Sequence, residues 1–135
     1  MKVSELRIGN LIRFNNLIQP EEIITVTPRF FRSFALNNAD ETDVEINNYY
    51  QPIPLTEEWK KKLGLDENNC IGIYLDSGSA DTLQVTNVNN EILLYAQPDD
   101  GSPYGRFSCC LGRVEYVHQL QNLYFVLTGE ELKTK

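Results

Sequence analysis

Apolar and polar positions alternate in short stretches along most of this chain, and paired asparagines stand between the stretches. Doublets fall at Asn15 and Asn16, Asn37 and Asn38, Asn47 and Asn48, Asn68 and Asn69, and Asn89 and Asn90. Asparagine tolerates left-handed backbone and bonds its own main chain, so a doublet between two apolar runs reads as a hairpin or loop. Short segments divided in this way predict an antiparallel sheet.

Ser4 is placed to cap one helical turn, Glu5 to Ile8, that stops at Gly9; Asn10 to Phe14 then reads as a first strand. Glu22 to Thr27 is rich in Ile, Val and Thr. Pro28 interrupts it, and Phe30 to Leu36 resumes with Phe30, Phe34 and Leu36 at strand parity, so two strands or one broken strand are expected. Asn37 to Asn48 is polar except for Val44 and Ile46 and predicts a loop ending in a short edge strand. Downstream, Cys70 to Leu75, Thr82 to Val88 and Glu91 to Ala96 predict a meander, and Tyr104 to Leu111 a further strand with Phe107, Cys109 and Leu111 on one face and Gly112 at its end.

Two segments change period. Between Pro52 and Leu65, Thr56 can cap a helix whose first turn holds Glu57 and Glu58 and whose last turn holds Lys60, Lys61 and Lys62, matching both ends of the helix dipole. Gly64 supplies a left-handed stop, so a two-turn helix over Glu57 to Leu63 is predicted, anchored by Trp59 and Leu63. The last segment, Val114 to Leu127, puts Tyr116, Val117, Leu120, Leu123, Tyr124 and Leu127 at three-and-four spacing, an amphipathic helix with Gly129 as its stop and Glu130 to Lys135 as a frayed tail. Phe125 and Val126 fall away from that stripe, among His118, Gln121 and Asn122. Either the helix is covered on nearly all sides, the favoured reading, or its second face meets another chain. The predicted architecture is α+β: one domain over residues 1–135, a mostly antiparallel sheet curled into a half-barrel at its N-terminal end, a short central helix and the C-terminal helix.

Composition narrows the function classes. At 135 residues with 41% hydrophobic side chains the chain can bury a core without staples, and no repeat or low-complexity linker marks a boundary. Nineteen acidic against twelve basic residues give a net charge of -7, which repels a phosphate backbone and argues against general nucleic-acid binding. Charges at Lys2, Glu5, Arg7 and Arg13 leave no apolar run fit for an export signal, and no stretch reaches a bilayer span, so a cytoplasmic protein is expected. Three cysteines, two of them adjacent, suit a reducing compartment and buried structural thiols. Cys70, Cys109, Cys110 and His118 make up the count of a zinc site but lack its spacing, so no metal or cofactor is expected.

Candidate chemistry is sparse. His118 is the only histidine, and with Glu115 as orienter and a thiol or serine as nucleophile it would form the core of a small hydrolase. The acidic doublets at 21–22, 57–58, 99–100 and 130–131 read as solvated faces, and the Asp76 to Asp81 loop lacks the lysine of a phosphate cradle. Arg29, Phe30, Phe31 and Arg32 combine cation and ring as single-strand nucleic-acid grooves do, a candidate nucleotide or nucleic-acid contact that the overall charge argues against.

Three blocks, S-E-L-R-I-G-N-L-I (Ser4 to Ile12), P-I-P-L-T-E-E-W (Pro52 to Trp59) and Y-V-H-Q-L-Q-N-L-Y-F-V-L-T-G-E-E-L (Tyr116 to Leu132), resemble those of an uncharacterised family of small proteins from Bacteroidetes genomes, prophages and other mobile elements. The stretch from Asn68 to Leu111 carries none of the resemblance. It implies an intracellular bacterial or phage setting and brings no activity, ligand or catalytic residue with it. The leading reading is therefore a non-enzymatic binding or interaction module with a protein partner or a second copy. The alternative is a small-ligand, nucleotide-type pocket lined by Tyr116, His118, Gln121, Asn122 and Phe125, with Arg29, Arg32 or Arg106 supplying positive charge; a His118 hydrolase comes third.

Overall fold

A computed structural model describes residues 2–15, 21–37, 49–74, 80–96 and 107–135. The chain divides into two compact units, residues 1–54 with 116–122, and 55–115 with 123–135. Sequence offered no boundary because no linker marks one: the chain passes between the units three times, each time within an ordinary run of residues. The fold is α+β with two antiparallel sheets, a short central helix and a C-terminal helix.

In the first unit, a 3-10 turn at Val3–Glu5 leads through Gly9 into strand β1 (Leu11–Phe14), flanked antiparallel by β2 (Glu22–Thr25) and β3 (Tyr50–Gln51). The predicted Glu5 to Ile8 turn thus lies earlier, over Val3–Glu5, closed by the Leu6 N–H on the Val3 carbonyl at 3.0 Å. Register runs Leu11 to Thr25 and Phe14 to Glu22 on one side, Arg13 to Gln51 and Phe14 to Tyr50 on the other. Leu6, Ile12 and Val26 are buried, and Val3, Ile24, Phe30, Phe31 and Tyr50 pack around them.

The expected strand over Phe30 to Leu36 is a helix, α1 (Pro28–Asn37). Pro28 is its first residue: a ring-locked φ and a missing N–H interrupt a strand but suit the start of a helix. Thr27 receives the Phe30 N–H on its carbonyl at 3.0 Å and on Oγ1 at 3.4 Å. Phe30 and Phe34 are four apart, so strand parity and helical spacing were both satisfied by the same residues. Phe30 meets Tyr50 edge-on with ring centres 5.2 Å apart, and the Phe14 ring lies 5.1 Å from Tyr50 at a tilt. The loop and edge strand expected before Asn48 lie outside the described residues.

The second unit opens with α2 (Glu57–Lys62), where Thr56 Oγ1 accepts the Trp59 N–H at 3.4 Å. Its end is a Schellman turn: Gly64 takes φ +86°, its N–H bonds the Lys61 carbonyl, and the Leu65 N–H reaches back to Lys60 at 3.1 Å. Leu63 is buried and Trp59 is half-buried beneath the Lys62 ammonium, 4.9 Å from the ring centre. A meander follows, β4 (Cys70–Tyr74), β5 (Ala80–Val85), β6 (Glu91–Ala96) and β7 (Phe107–Arg113), paired in sequence order. Asn89 and Asn90 both have positive φ, as a hairpin turn of the primed type requires. Ile73, Leu83, Val85 and Ile92 bury one face of this sheet, with Leu55, Leu63, Leu65, Val114 and Leu132 also buried in the unit.

Three expectations are corrected in this unit. Strand β7 does not stop at Gly112: Ile92 pairs with Gly112 and Leu93 with Cys110, so Leu111 is the extra residue of a bulge and the strand runs to Arg113. Cys109 and Cys110 are exposed, not buried, because they sit on the last strand of the sheet order, and Cys70 is half-buried. The tail is not frayed, since Leu132 is buried and the Lys135 N–H bonds the Lys62 carbonyl at 2.8 Å.

The last helix, α3, spans Val117–Thr128, starting later than Val114. Val114 and Glu115 are spent on extended contacts instead: the Val114 N–H bonds the Asn90 carbonyl, and the Glu115 carbonyl accepts the Leu55 N–H. Tyr116 forms a bridge to Pro54. Residues 117–122 of α3 belong to the first unit and 123–128 to the second.

Candidate functional site

The residues singled out on α3 meet the N-terminal segment of the first unit. Gln121 is buried and receives the Leu11 N–H on Oε1 at 2.9 Å, while its Nε2 donates to the Gly9 carbonyl at 3.5 Å. Asn122 donates from Nδ2 to the Glu5 carbonyl at 2.8 Å and accepts on Oδ1 from Asn10 Nδ2 at 3.0 Å and Arg7 Nη1 at 3.5 Å. Asn10, itself fully buried, accepts the Arg7 N–H on Oδ1 at 2.6 Å. This is an amide clamp that satisfies main-chain groups a sheet ladder leaves unpaired. Sequence placed Gln121 and Asn122 as recognition groups; they are occupied by the chain's own backbone.

His118 lies one turn earlier and has no exposed surface. Its ring stacks on Tyr116, centres 5.9 Å apart and planes within 8°. Neither ring nitrogen has a hydrogen-bond partner among the described residues. Burial pushes its pKa below the ordinary histidine value; the Glu5 carboxylate pulls the other way and the positive amino terminus adds to the lowering. The imidazole is therefore neutral at neutral pH, and sealed from solvent it cannot reach a proton on an outside substrate. Glu115, the orienter sequence suggested, is exposed.

Of the other candidates, Arg29 and Arg32 are exposed on α1, Phe125 is half-buried in the second unit, and Arg106 lies outside the described residues. The thiols that make up the count of a zinc site stand apart: Cys70 is on β4 and Cys109 and Cys110 are on β7, with two strands between, three spacings of roughly 4.8 Å. Asp81 on β5 is buried with Oδ1 unpartnered among the described residues, yet no group of three His, Cys, Asp or Glu side chains fit for a metal gathers among them.

Sequence missed a second buried polar cluster, in the second unit. Lys60 is almost fully buried and donates to Glu57 Oε1 at 2.6 Å; Asn69, buried with φ +58°, donates to Glu57 Oε2 at 3.1 Å and to Asn87 Oδ1 at 2.6 Å. The Lys60 bond holds the Glu57 carboxyl below the usual range against the opposing effect of desolvation, with Asn69 assisting. A lysine triplet on a short helix gave no sign that its first member turns inward.

Comparison with family models, curated proteins and solved structures gives no match. No helix among the described residues is long and apolar enough to cross a membrane.

Proposed function

We propose that the protein is a non-enzymatic binding or interaction module, cytoplasmic and of the bacterial or phage setting that its three sequence blocks suggest. One observation carries this reading: the only imidazole is shut in the interior, and the amides beside it are committed to the N-terminal segment. That arrangement supports neither a His118 hydrolase nor a pocket lined by Tyr116, His118 and Gln121, since each needs those groups open to a ligand. The exposed apolar side chains Ile8, Ile23, Val88, Leu111 and Val126 are available to protein contact instead.

Two measurements test it. Thermal melts with nucleotides and divalent metals should leave the melting temperature unchanged, because a ligand that binds only the folded form raises it. Sedimentation velocity over a concentration series should show self-association, or a complex once a candidate partner is added. A nucleotide that raises the melting temperature, with the gain lost in Arg29→Ala or Arg32→Ala, replaces this reading with the small-ligand one. Ester or phosphoester hydrolysis that disappears in His118→Asn replaces it with the enzyme.

A further inference from the structure

Neighbouring residues of a strand point to opposite faces, so Cys109 and Cys110 cannot close a disulfide with each other while β7 holds. Cys70 is out of their reach, three strand spacings or roughly 14 Å across the sheet on β4. Its thiol is half-buried and donates to the Asn68 carbonyl at 3.6 Å; burial, and then the Asp66 carboxylate, push its pKa up, which keeps it from the reactive thiolate form. Cys109 and Cys110 are exposed. A disulfide at either must therefore be made to another molecule.

The hydrogen-bond parity of the sheet decides which of the two is aimed at a partner. The Thr86 N–H bonds the Glu91 carbonyl at 2.8 Å, so Thr86 and Glu91 are a bonded pair, and alternation along β5 and β6 makes Gln84 and Leu93 the next one. Leu93 thus spends its main-chain groups on β5, and Cys110, opposite Leu93, has its N–H and C=O turned away from β6. Ser108, two residues earlier, turns outward in the same way, while Cys109 is left bonded to Leu94. Among the described residues β7 pairs on one side only, so the main-chain groups of Ser108 and Cys110 form an open edge. The bulge at Leu111 ends it. Beyond the extra residue the parity flips, and Gly112 bonds back to Ile92, in step with the Val114 N–H on the Asn90 carbonyl at 3.1 Å.

An edge of this length accepts a second copy of itself best in one antiparallel register. With the two-fold at Cys109, Ser108 of each copy faces Cys110 of the other and both outward pairs bond. With it at Cys110, Ser108 faces Gly112, whose groups are already used; with it at Ser108, Cys110 faces position 106, before β7 begins. The first register sets Cys109 across from Cys109 of the second copy at a non-bonded position, where Cα atoms stand about 4.5 Å apart, inside the roughly 4.4–6.8 Å span of a disulfide. The thiol already leans that way: Cys109 Sγ lies 3.9 Å from the Cys110 carbonyl, which points out from the open edge.

We propose that Cys109 is an oxidation site that joins two copies of the chain edge to edge along β7, through a disulfide to Cys109 of the second copy. The oxidant is a small-molecule disulfide of the glutathione class. One Cys109 thiolate attacks it, forming a mixed disulfide and releasing one small thiol. Cys109 of the second copy then attacks the protein sulfur of that mixed disulfide and releases the second small thiol, so two protein thiols give up two electrons and two protons and one small disulfide takes them. The inference rests on the interaction-module reading in taking a second copy as the partner, and it adds the condition, an oxidised thiol pool.

Incubating the full chain in mixtures of reduced and oxidised glutathione, followed by non-reducing gels and mass spectrometry of the linked peptides, tests this. The expected result is a dimer that dithiothreitol removes and whose linked peptides join at Cys109. The dimer should be lost in Cys109→Ser and kept in Cys110→Ser and Cys70→Ser. Ser108→Pro takes away an N–H that points out from the edge and should lower the dimer yield while glutathione still caps Cys109. If that variant does not fold, the peptide map and the cysteine variants decide alone. The proposal is overturned if the link runs through Cys110 or Cys70, if Cys109 accumulates as its glutathione adduct without dimer, or if a folded Ser108→Pro dimerises in full yield. None of these outcomes touches nucleotide stabilisation or hydrolysis, the results that would replace the interaction-module reading, so the two fail separately.

Discussion

Asn10 and Asn69 are both buried asparagines, and each stands at the centre of a polar cluster within its own unit. Asn69 joins Glu57 and Asn87 around a buried lysine whose charge is met at 2.6 Å by Glu57. Asn10 joins Arg7 and Asn122 beside a buried imidazole that nothing described meets. The first arrangement compensates a permanent charge, and its worth persists wherever Glu57 is ionised. The second keeps a titratable group neutral, and its worth is conditional on pH. Burial of a polar side chain therefore does not carry one meaning: the partner count decides whether its contribution is fixed or depends on pH.

The sharpest way to break this contrast is to remove one half of the charged pair. Glu57→Gln leaves the Lys60 ammonium buried against a neutral amide and should cost about 2 kcal/mol, less than the 3–5 of a fully enclosed pair because the outer side of Glu57 is open to water. Lys60→Met removes the charge but keeps the packed stem and should change stability by under about 1 kcal/mol in either direction. Urea titrations of both variants read the difference. A Glu57→Gln loss as small as that of Lys60→Met would show that Lys60 acts through packing alone, and the contrast with His118 would fail.

On the other side, Gln121→Leu keeps the volume of the clamp but takes away the acceptor of the Leu11 N–H. An orphaned, part-buried donor should cost about 1–2 kcal/mol, seen as a lower unfolding midpoint and faster exchange of the Leu11 amide. An unchanged Leu11 amide would mean that the clamp is incidental and that the ladder to Thr25 fixes the strand alone.

What sequence disclosed follows the range of the interactions. The α2 cap, its charge order and its glycine stop were readable because each device spans six residues or fewer, and so was the Asn89 and Asn90 turn. The Pro28 segment was misassigned because one proline and two phenylalanines four apart satisfy either period; only the docking of Phe30 on Tyr50 decides it. The clamp was out of reach, since Leu11 and Gln121 lie 110 residues apart and nothing near either announces the other. His118, Gln121 and Asn122 were seen to share a polar face; that the face turns inward depends on which backbone groups lack partners, and a pattern of residue types does not record that.

The smallest effects concern the helix starts that hold each cluster in place. In α2 the Thr56 hydroxyl accepts the Trp59 N–H across 3.4 Å, and in α3 the Gln119 side chain reaches back to the Tyr116 N–H at 3.3 Å, half of a capping box. Both bonds are long, so Thr56→Ala and Gln119→Ala should each cost about 0.5 kcal/mol, the low end for caps. The clusters make the two losses differ in kind. Glu57 is the first residue of α2, so fraying that turn loosens its hold on Lys60, and Thr56→Ala combined with Glu57→Gln should cost less than the sum of the two. The Gln119 bond is to a main-chain N–H outside the clamp, so Gln119→Ala combined with Gln121→Leu should instead cost the sum of the two. Additive costs in α2 would show that cap and ion pair act independently, and the charged cluster would then be a property of two side chains alone, with no part played by the turn that carries them.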